Sequence, residues 1–391
     1  MPSGSGKQAQ LPLPALLSQT LVAFTIELDN EFERRMNRAG HPGVRLSLVI
    51  WSNLVRFIGQ GGSTVQDLAA NALAPRERIA SQLGCLERWG VVTLNDQDNK
   101  RSGWGSGRGI RGDWMVRLTS RGAKAAEIWP PLAGEIETRW EARFGNAEMG
   151  RMKSLLQAIA DQLDVELPQG LPHALEIAEA FPARARRQRP ELAFPALLSQ
   201  VLLAFKIEYE RESGTSLALS ANALRVLAEK PVPVSELPRR TGASPGTCGI
   251  GWQLKPFVLV EADPHKERGK LVRLSPRGLA VQRTYRRLID EIPRRWEAGY
   301  GKEIIRGLTE ALRDLFARRD GDQSTLSAGL LAPPDVARGG ALAPSLGRRT
   351  IAPAARKRAR DLVLQNQLFV KDPAGNLPHY PMWDMNRGFG P

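Results

Sequence analysis

In the stretch PALLSQTLVAFTIELDNE, apolar side chains recur at helical spacing. Leu17, Leu21, Phe24 and Leu28 fall on one face, which predicts a long opening helix. The pattern returns in PALLSQVLLAFKIEYE, where Leu198, Leu202, Phe205 and Tyr209 keep the spacing. These words begin at Pro14 and Pro195, 195 − 14 = 181 positions apart. That distance is too long for a solenoid repeat and suits a duplicated domain. Each apolar stripe is either buried within its own half or set against its twin.

The later patterns also come in pairs. RLSLVIWSNLVRFI (Arg45–Ile58) and SLALSANALRVLAE (Ser216–Glu229) are both helical in pattern. Gly61 and Gly62 then break the chain, and Ser63-Thr64-Val65-Gln66 reads as a capping box for a short helix through Ala72. Its counterpart is Val234–Pro245: a short helix, a Thr-Gly turn, and Ser244-Pro245 opening another helix, with Ala74-Pro75 at the matching place. Helix, tight turn, helix is the unit whose second helix enters a DNA groove. VVTLN (Val91–Asn95) and WMVRLT (Trp114–Thr119) then flank a polar, glycine-rich segment. VLVEA (Val258–Ala262) and KLVRLS (Lys270–Ser275) flank DPHKERG. Each pair reads as a β-hairpin with a basic loop. LTSRG (Leu118–Gly122) and LSPRG (Leu274–Gly278) open long helices that end in RWEARFG and RWEAGYG. Trp140 and Trp296 in those words read as packing anchors between helices. A final helix follows in each half, striped by Leu155, Leu156, Ile159 and Leu163, and by Ile305, Leu308, Leu312 and Leu315.

Length and charge sharpen this picture. A chain of 391 residues exceeds what one core supports, so two domains with appendages are expected. Lys and Arg number 55 against 41 Asp and Glu, leaving +14, which favours a polyanion partner, nucleic acid first. The opening MPSGSGKQAQ lacks a signal-peptide pattern, and no apolar run is long enough to span a bilayer. With Cys85 and Cys248 outside any CxxC pair, a reducing cytoplasm is expected. The four histidines are scattered without metal-ligand spacing, so no cofactor is expected. The segment GWGSGRG lacks the lysine-serine ending of a nucleotide loop, and no catalytic constellation stands elsewhere, so an enzyme is not expected.

The ordered string of helices, helix-turn-helix, basic hairpin and L-[ST]-x-x-G leading two terminal helices resembles the multiple-antibiotic-resistance regulator (MarR) family. The likeness covers residues 11–165 and again 191–319. It implies a mainly α fold with small β-hairpin wings, in which tandem winged helix-turn-helix domains form an intramolecular pseudo-dimer. It implies a monomer that binds double-stranded DNA at two half-sites as a sequence-specific transcriptional regulator, a repressor, with a cleft for a small-molecule effector. The alternative is an architectural DNA-binding protein that senses nothing. Residues 1–10 are expected to be disordered and 166–190 to be a linker. Residues 320–391 read as a mostly disordered basic, Pro/Gly-rich tail whose aromatic end docks on the domains or on a partner.

Candidate contacts follow from this frame. In the helix predicted over Pro75–Trp89, Ile79, Leu83 and Leu86 must pack inward, leaving Arg76, Arg78, Ser81 and Gln82 towards a groove. Arg pairs a guanine edge and Gln an adenine edge, while phosphate contact is the alternative for both arginines. The matching stretch SPGTCGIGWQLKPF carries Gly246, Gly249 and Gly251, each costing a helix about 1 kcal/mol, and offers Thr247. Lys100, Arg101, Arg108 and Arg111 serve the first hairpin; Lys266, Arg268 and Lys270 serve the second. By the resemblance, Arg268 is the wing-tip arginine that enters a minor groove. Cys85 is expected to be buried and inert.

Overall fold

A computed structural model describes residues 11–41, 46–95, 110–168, 170, 192–228, 230–241, 254–266, 269–321, 323–331 and 367–381. These are mainly helical, with small antiparallel sheets. In the first half, α1 (Leu13–Arg38) is followed by α2 (Leu48–Asn53), β1 (Ser63–Thr64), α3 (Val65–Ala72) and α4 (Arg76–Arg88). The hairpin β2 (Val92–Asn95) and β3 (Met115–Leu118) leads to α5 (Ser120–Phe144) and α6 (Asn146–Asp161). The second half opens with α7 (Phe194–Ser213) and a π-helical stretch, Leu219–Leu224. It continues through β4 (Val232–Pro233), α8 (Leu237–Thr241), β5 (Val258–Ala262), β6 (Lys270–Leu274), α9 (Pro276–Tyr300) and α10 (Lys302–Ala317). A short ribbon, β7 (Arg319–Asp320) with β8 (Gln323–Ser324), and α11 (Ser327–Leu330) follow.

The apolar stripes meet. α1 packs along α7, and α6 packs along α10 and α7, so one core runs through both halves. Leu17, Leu21, Phe24 and Leu28 are fully buried, and the Phe24 ring lies edge-on to Phe194 at the start of α7, 5.7 Å between centroids. The repeated words also lock onto each other in the same way twice. The Trp140 indole N–H donates to Glu27 of α1 at 3.0 Å, and the Trp296 indole donates to Glu208 of α7 at 2.6 Å. Phe24 meets Trp140 edge-on at 5.3 Å, as Phe205 meets Trp296 at 5.6 Å. Both tryptophans are therefore packing anchors with a satisfied polar end. Nearby, Arg34, Arg35 and Arg139 gather at Glu31. Burial pushes the Glu31 carboxyl up, but hydrogen bonds from Arg34 and Arg35 and the Arg139 charge outweigh it, holding the pKa at about 2.

The motif L-[ST]-x-x-G works through its middle. Thr119 and Ser275 each cap their helix by accepting the N–H three residues on, from Gly122 and Gly278, both at 3.1 Å. The start of α3 differs from the expected box by one residue. Thr64 is the cap, accepting from the Asp67 N–H at 3.1 Å and donating to the Asp67 carboxylate at 2.7 Å. Both residues lie in β1, and the Ser63 hydroxyl is engaged elsewhere, donating to the Phe57 carbonyl. β1 and β4 make each hairpin a three-stranded sheet, in the orders β1-β3-β2 and β4-β6-β5. Two-residue strands are too short to show a period, so sequence pattern missed them.

Within the expected tail, two longer segments are described. Residues 323–331 and 367–381 fold onto the helices, burying Leu326, Leu330, Phe369, Leu377 and Tyr380. Residues 1–10 and 332–366 lie outside the described set, as does most of the expected linker.

Candidate nucleic-acid interface

The turn between α3 and α4 is made by Leu73, in the left-handed region at φ 49°, then Ala74 and Pro75. Pro75 supplies no N–H and presets the chain for the start of α4. Along α4 the buried positions are Ile79, Gln82, Leu83, Gly84 and Leu86. Arg76, Glu77 and Ser81 are exposed and Arg78 is half-buried. Gln82 is thus a correction to the expected groove-facing set. It falls three residues after Ile79 and four before Leu86, inside the apolar stripe, and is 7% exposed. Ser81 stands opposite the apolar stripe, with exposed Arg76 on one flank and half-buried Arg78 on the other.

The hairpin is held against this helix pair. The N–H groups of Val65 and Gln66 donate to the carbonyls of Trp114 and Gly112, at 3.1 and 2.9 Å. Arg76 lies over Gly112, where a Cβ would stand 3.6 Å from its guanidinium. The arrangement brings Arg76 beside the foot of the loop that carries Arg111. Arg111 pairs with Asp113 at 3.0 Å and Arg76 with Glu77 at 3.7 Å, both on the open surface. Such exposed pairs contribute little, so each guanidinium can trade its carboxylate for a phosphate oxygen at small cost. Lys100, Arg101 and Arg108 lie outside the described residues.

In the second half, Lys266 and Lys270 are exposed around the β5–β6 turn. That turn is closed by the Asp263 N–H on the Gly269 carbonyl at 2.9 Å and the Gly269 N–H on the Lys266 carbonyl at 2.8 Å. Thr247, Cys248 and Arg268 lie outside the described residues. Sequence reading passed over other exposed cations here. Arg239 and Arg240 stand in the last turn of α8, and Arg117 stands on β3; the adjacent pair RR in the first helix of the expected helix-turn-helix was the available signal. Cys85 is also a correction: it is partly exposed and accepts a hydrogen bond from the Arg88 guanidinium at 2.8 Å. Its position on α4, two residues past Leu83 and one before Leu86, turns it off the buried stripe.

Among the described residues, no group of three His, Cys, Asp or Glu side chains could hold a metal ion. No described helix is long and apolar enough to cross a membrane. No protein-family model, curated protein or solved structure matches the chain.

Proposed function

We propose that the chain is a transcriptional regulator that binds double-stranded DNA. In this reading, two winged helix-turn-helix halves of the MarR type are paired within one chain as an internal pseudo-dimer. The observation that carries the reading is the twofold repetition of contacts. α1 lies on α7, α6 lies on α10, and each Trp-Glu lock recurs, while a three-stranded hairpin sheet stands in each half. A monomer so built covers two half-sites about 10 base pairs apart. Arg76, Arg78 and Ser81 on α4 read bases or clamp phosphates. Arg111, with Lys100, Arg101 and Arg108, serves the first wing. Lys266, Lys270 and Arg268 bring the second wing to the backbone and minor groove, with Thr247 the polar contact of that half's recognition segment. Repression, with a small-molecule effector between the hairpin domains and the paired helices, completes the proposal.

Selection from randomised duplexes tests it. A regulator yields one preferred site bound at least about 10³-fold more tightly than bulk DNA. Uniform binding to all duplexes leaves the architectural reading, and no binding at low salt removes both.

A further inference from the structure

The word PALLSQ places a serine and a glutamine in the second turn of each opening helix, and all four side chains are buried. On α1, the Ser18 hydroxyl donates to the Pro378 carbonyl at 3.0 Å. The Gln19 amide donates to the carbonyls of Leu377 and Ala374, at 2.8 and 3.1 Å. On α7, the Ser199 hydroxyl donates to the Gly170 carbonyl at 2.6 Å, and the Gln200 amide to the Leu167 carbonyl at 3.2 Å. The Gln side chain thus grips the leucine carbonyl of a Leu-Pro pair in both halves, Leu377-Pro378 and Leu167-Pro168, while the serine takes Pro378 in one and Gly170 in the other.

The other half completes each grip with an asparagine. Asn222, ending SLALSAN, holds both sides of the Tyr380 backbone: its amide donates to the carbonyl at 2.8 Å and its oxygen accepts the N–H at 3.1 Å. Asn53, ending SLVIWSN in the first half, lies so close over Gly170 that a Cβ there would sit 1.6 Å from its amide oxygen. Two grooves therefore stand at the seams between the halves, each made of Ser and Gln from one opening helix and Asn from the opposite half.

These contacts read backbone, and most of the side chains are buried. Leu377, Pro378, Tyr380 and Pro381 are buried. Proline carries no N–H and holds the chain extended, which leaves carbonyls as the groups to be read and lowers the cost of ordering the segment. One occupant differs from the other in its attachment. Leu167 and Gly170 follow α6 directly, whereas residues 332–366 separate Leu377–Tyr380 from α11. Phe369 is buried and Val370 accepts a hydrogen bond from Ser327 at 2.6 Å, so the segment keeps an anchor beside the groove.

We propose that the groove of Ser18, Gln19 and Asn222 is a binding site for a Leu-Pro-x-Tyr peptide. Leu377–Tyr380 fill it in cis, and a segment of the same chemistry presented in trans exchanges with them. The inference goes beyond DNA binding and stands or falls separately from it.

The test uses the full chain and a fluorescein-labelled peptide of residues 372–381. Tyr380→Asp places a charge in the buried ring site and evicts the cis segment. The evicted chain should bind the peptide saturably and about tenfold or more tightly than the unaltered chain, which is already occupied. Adding Asn222→Ala, which removes two backbone hydrogen bonds, should weaken that binding about tenfold. In the unaltered chain, excess unlabelled peptide should speed exchange of the Tyr380 amide and leave the Leu167–Gly170 strap unchanged. Absence of saturable binding by a Tyr380→Asp chain with an intact cooperative melt overturns the proposal. So does binding indifferent to Asn222. Should Tyr380→Asp fail to fold, a Tyr380 amide that does not respond to peptide in the unaltered chain decides against it.

Discussion

Gly122 stands against the carbonyl of Val91 so closely that a Cβ would lie 2.1 Å from the oxygen. That same carbonyl accepts the Thr119 N–H at 3.0 Å. In the second half, Gly278 and Phe257 repeat the relationship at 2.1 Å, with Ser275 donating at 2.9 Å. The glycine of each L-[ST]-x-x-G is thus required by the approach of a helix to the strand that begins the hairpin. Gly122→Ala and Gly278→Ala should each destabilise the chain by about 1–3 kcal/mol, because backbone rather than a flexible side chain must give way. Gly150→Ala in α6, which meets nothing within 4 Å, should instead stabilise it by about 0.5–1 kcal/mol. Urea melts of the three variants check the opposite signs.

The two Trp-Glu locks are alike in partners and unlike in burial. Glu27 is nearly inaccessible and also holds Arg143 at 2.9 Å, while Glu208 keeps 30% of its side chain in solvent. Glu27→Ala should cost about 3–5 kcal/mol, since it leaves a buried indole N–H and guanidinium without their acceptor. Glu208→Ala should cost about 1–2 kcal/mol, because water replaces the lost acceptor. Equal losses in denaturant midpoints would contradict the difference.

Burial of Gln82 separates two effects on α4. Arg78→Ala should relax base preference in one half-site by about 1–3 kcal/mol if its contact is bidentate. Gln82→Ala should lower the melting temperature and leave the preferred DNA sequence as it was. Comparing selected sites for the two variants tests this, and altered preference in the Gln82 variant would return that residue to the interface.

His379 gives docking of the distal segment a pH dependence. Burial, then the Arg225 guanidinium, lowers its pKa from 6.5 to about 3, and no hydrogen-bond partner for Nδ1 stands among the described residues. The docked state therefore needs the neutral ring. Above pH 6.5 neither state takes up a proton and the contribution is complete. Between 6.5 and 3 the released segment binds a proton that the docked one refuses, so docking weakens as pH falls, by about 1.4 kcal/mol per unit. Lowering pH from 7 to 5 should reduce the melting temperature of the unaltered chain more than that of His379→Gln.

What the sequence disclosed was periodic or repeated. The paired hairpins and the RWEA words lie within a residue or two of their observed limits, and the opening stripe starts its helix within one, because burial on one face imposes a period. The cap at Thr64 was displaced by one, since Ser63 and Thr64 are equally good acceptors until the Ser63 hydroxyl is taken by the Phe57 carbonyl. Gln82 was misplaced because chemistry was weighed above the helical angle that puts it between Ile79 and Leu86. Ser18 and Gln19 gave no local sign of their role, for their partners are set by packing of the whole chain.

The bond from Ser18 to Pro378 joins positions 360 apart. At synthesis rates of about 5–20 residues per second, α1 emerges roughly 20–70 s before the carbonyl that answers it. α7, which covers the apolar stripe of α1, also arrives in the interval. α1 is therefore finished long after it is made, and ribosome-bound fragments expose both its stripe and its unanswered polar pair.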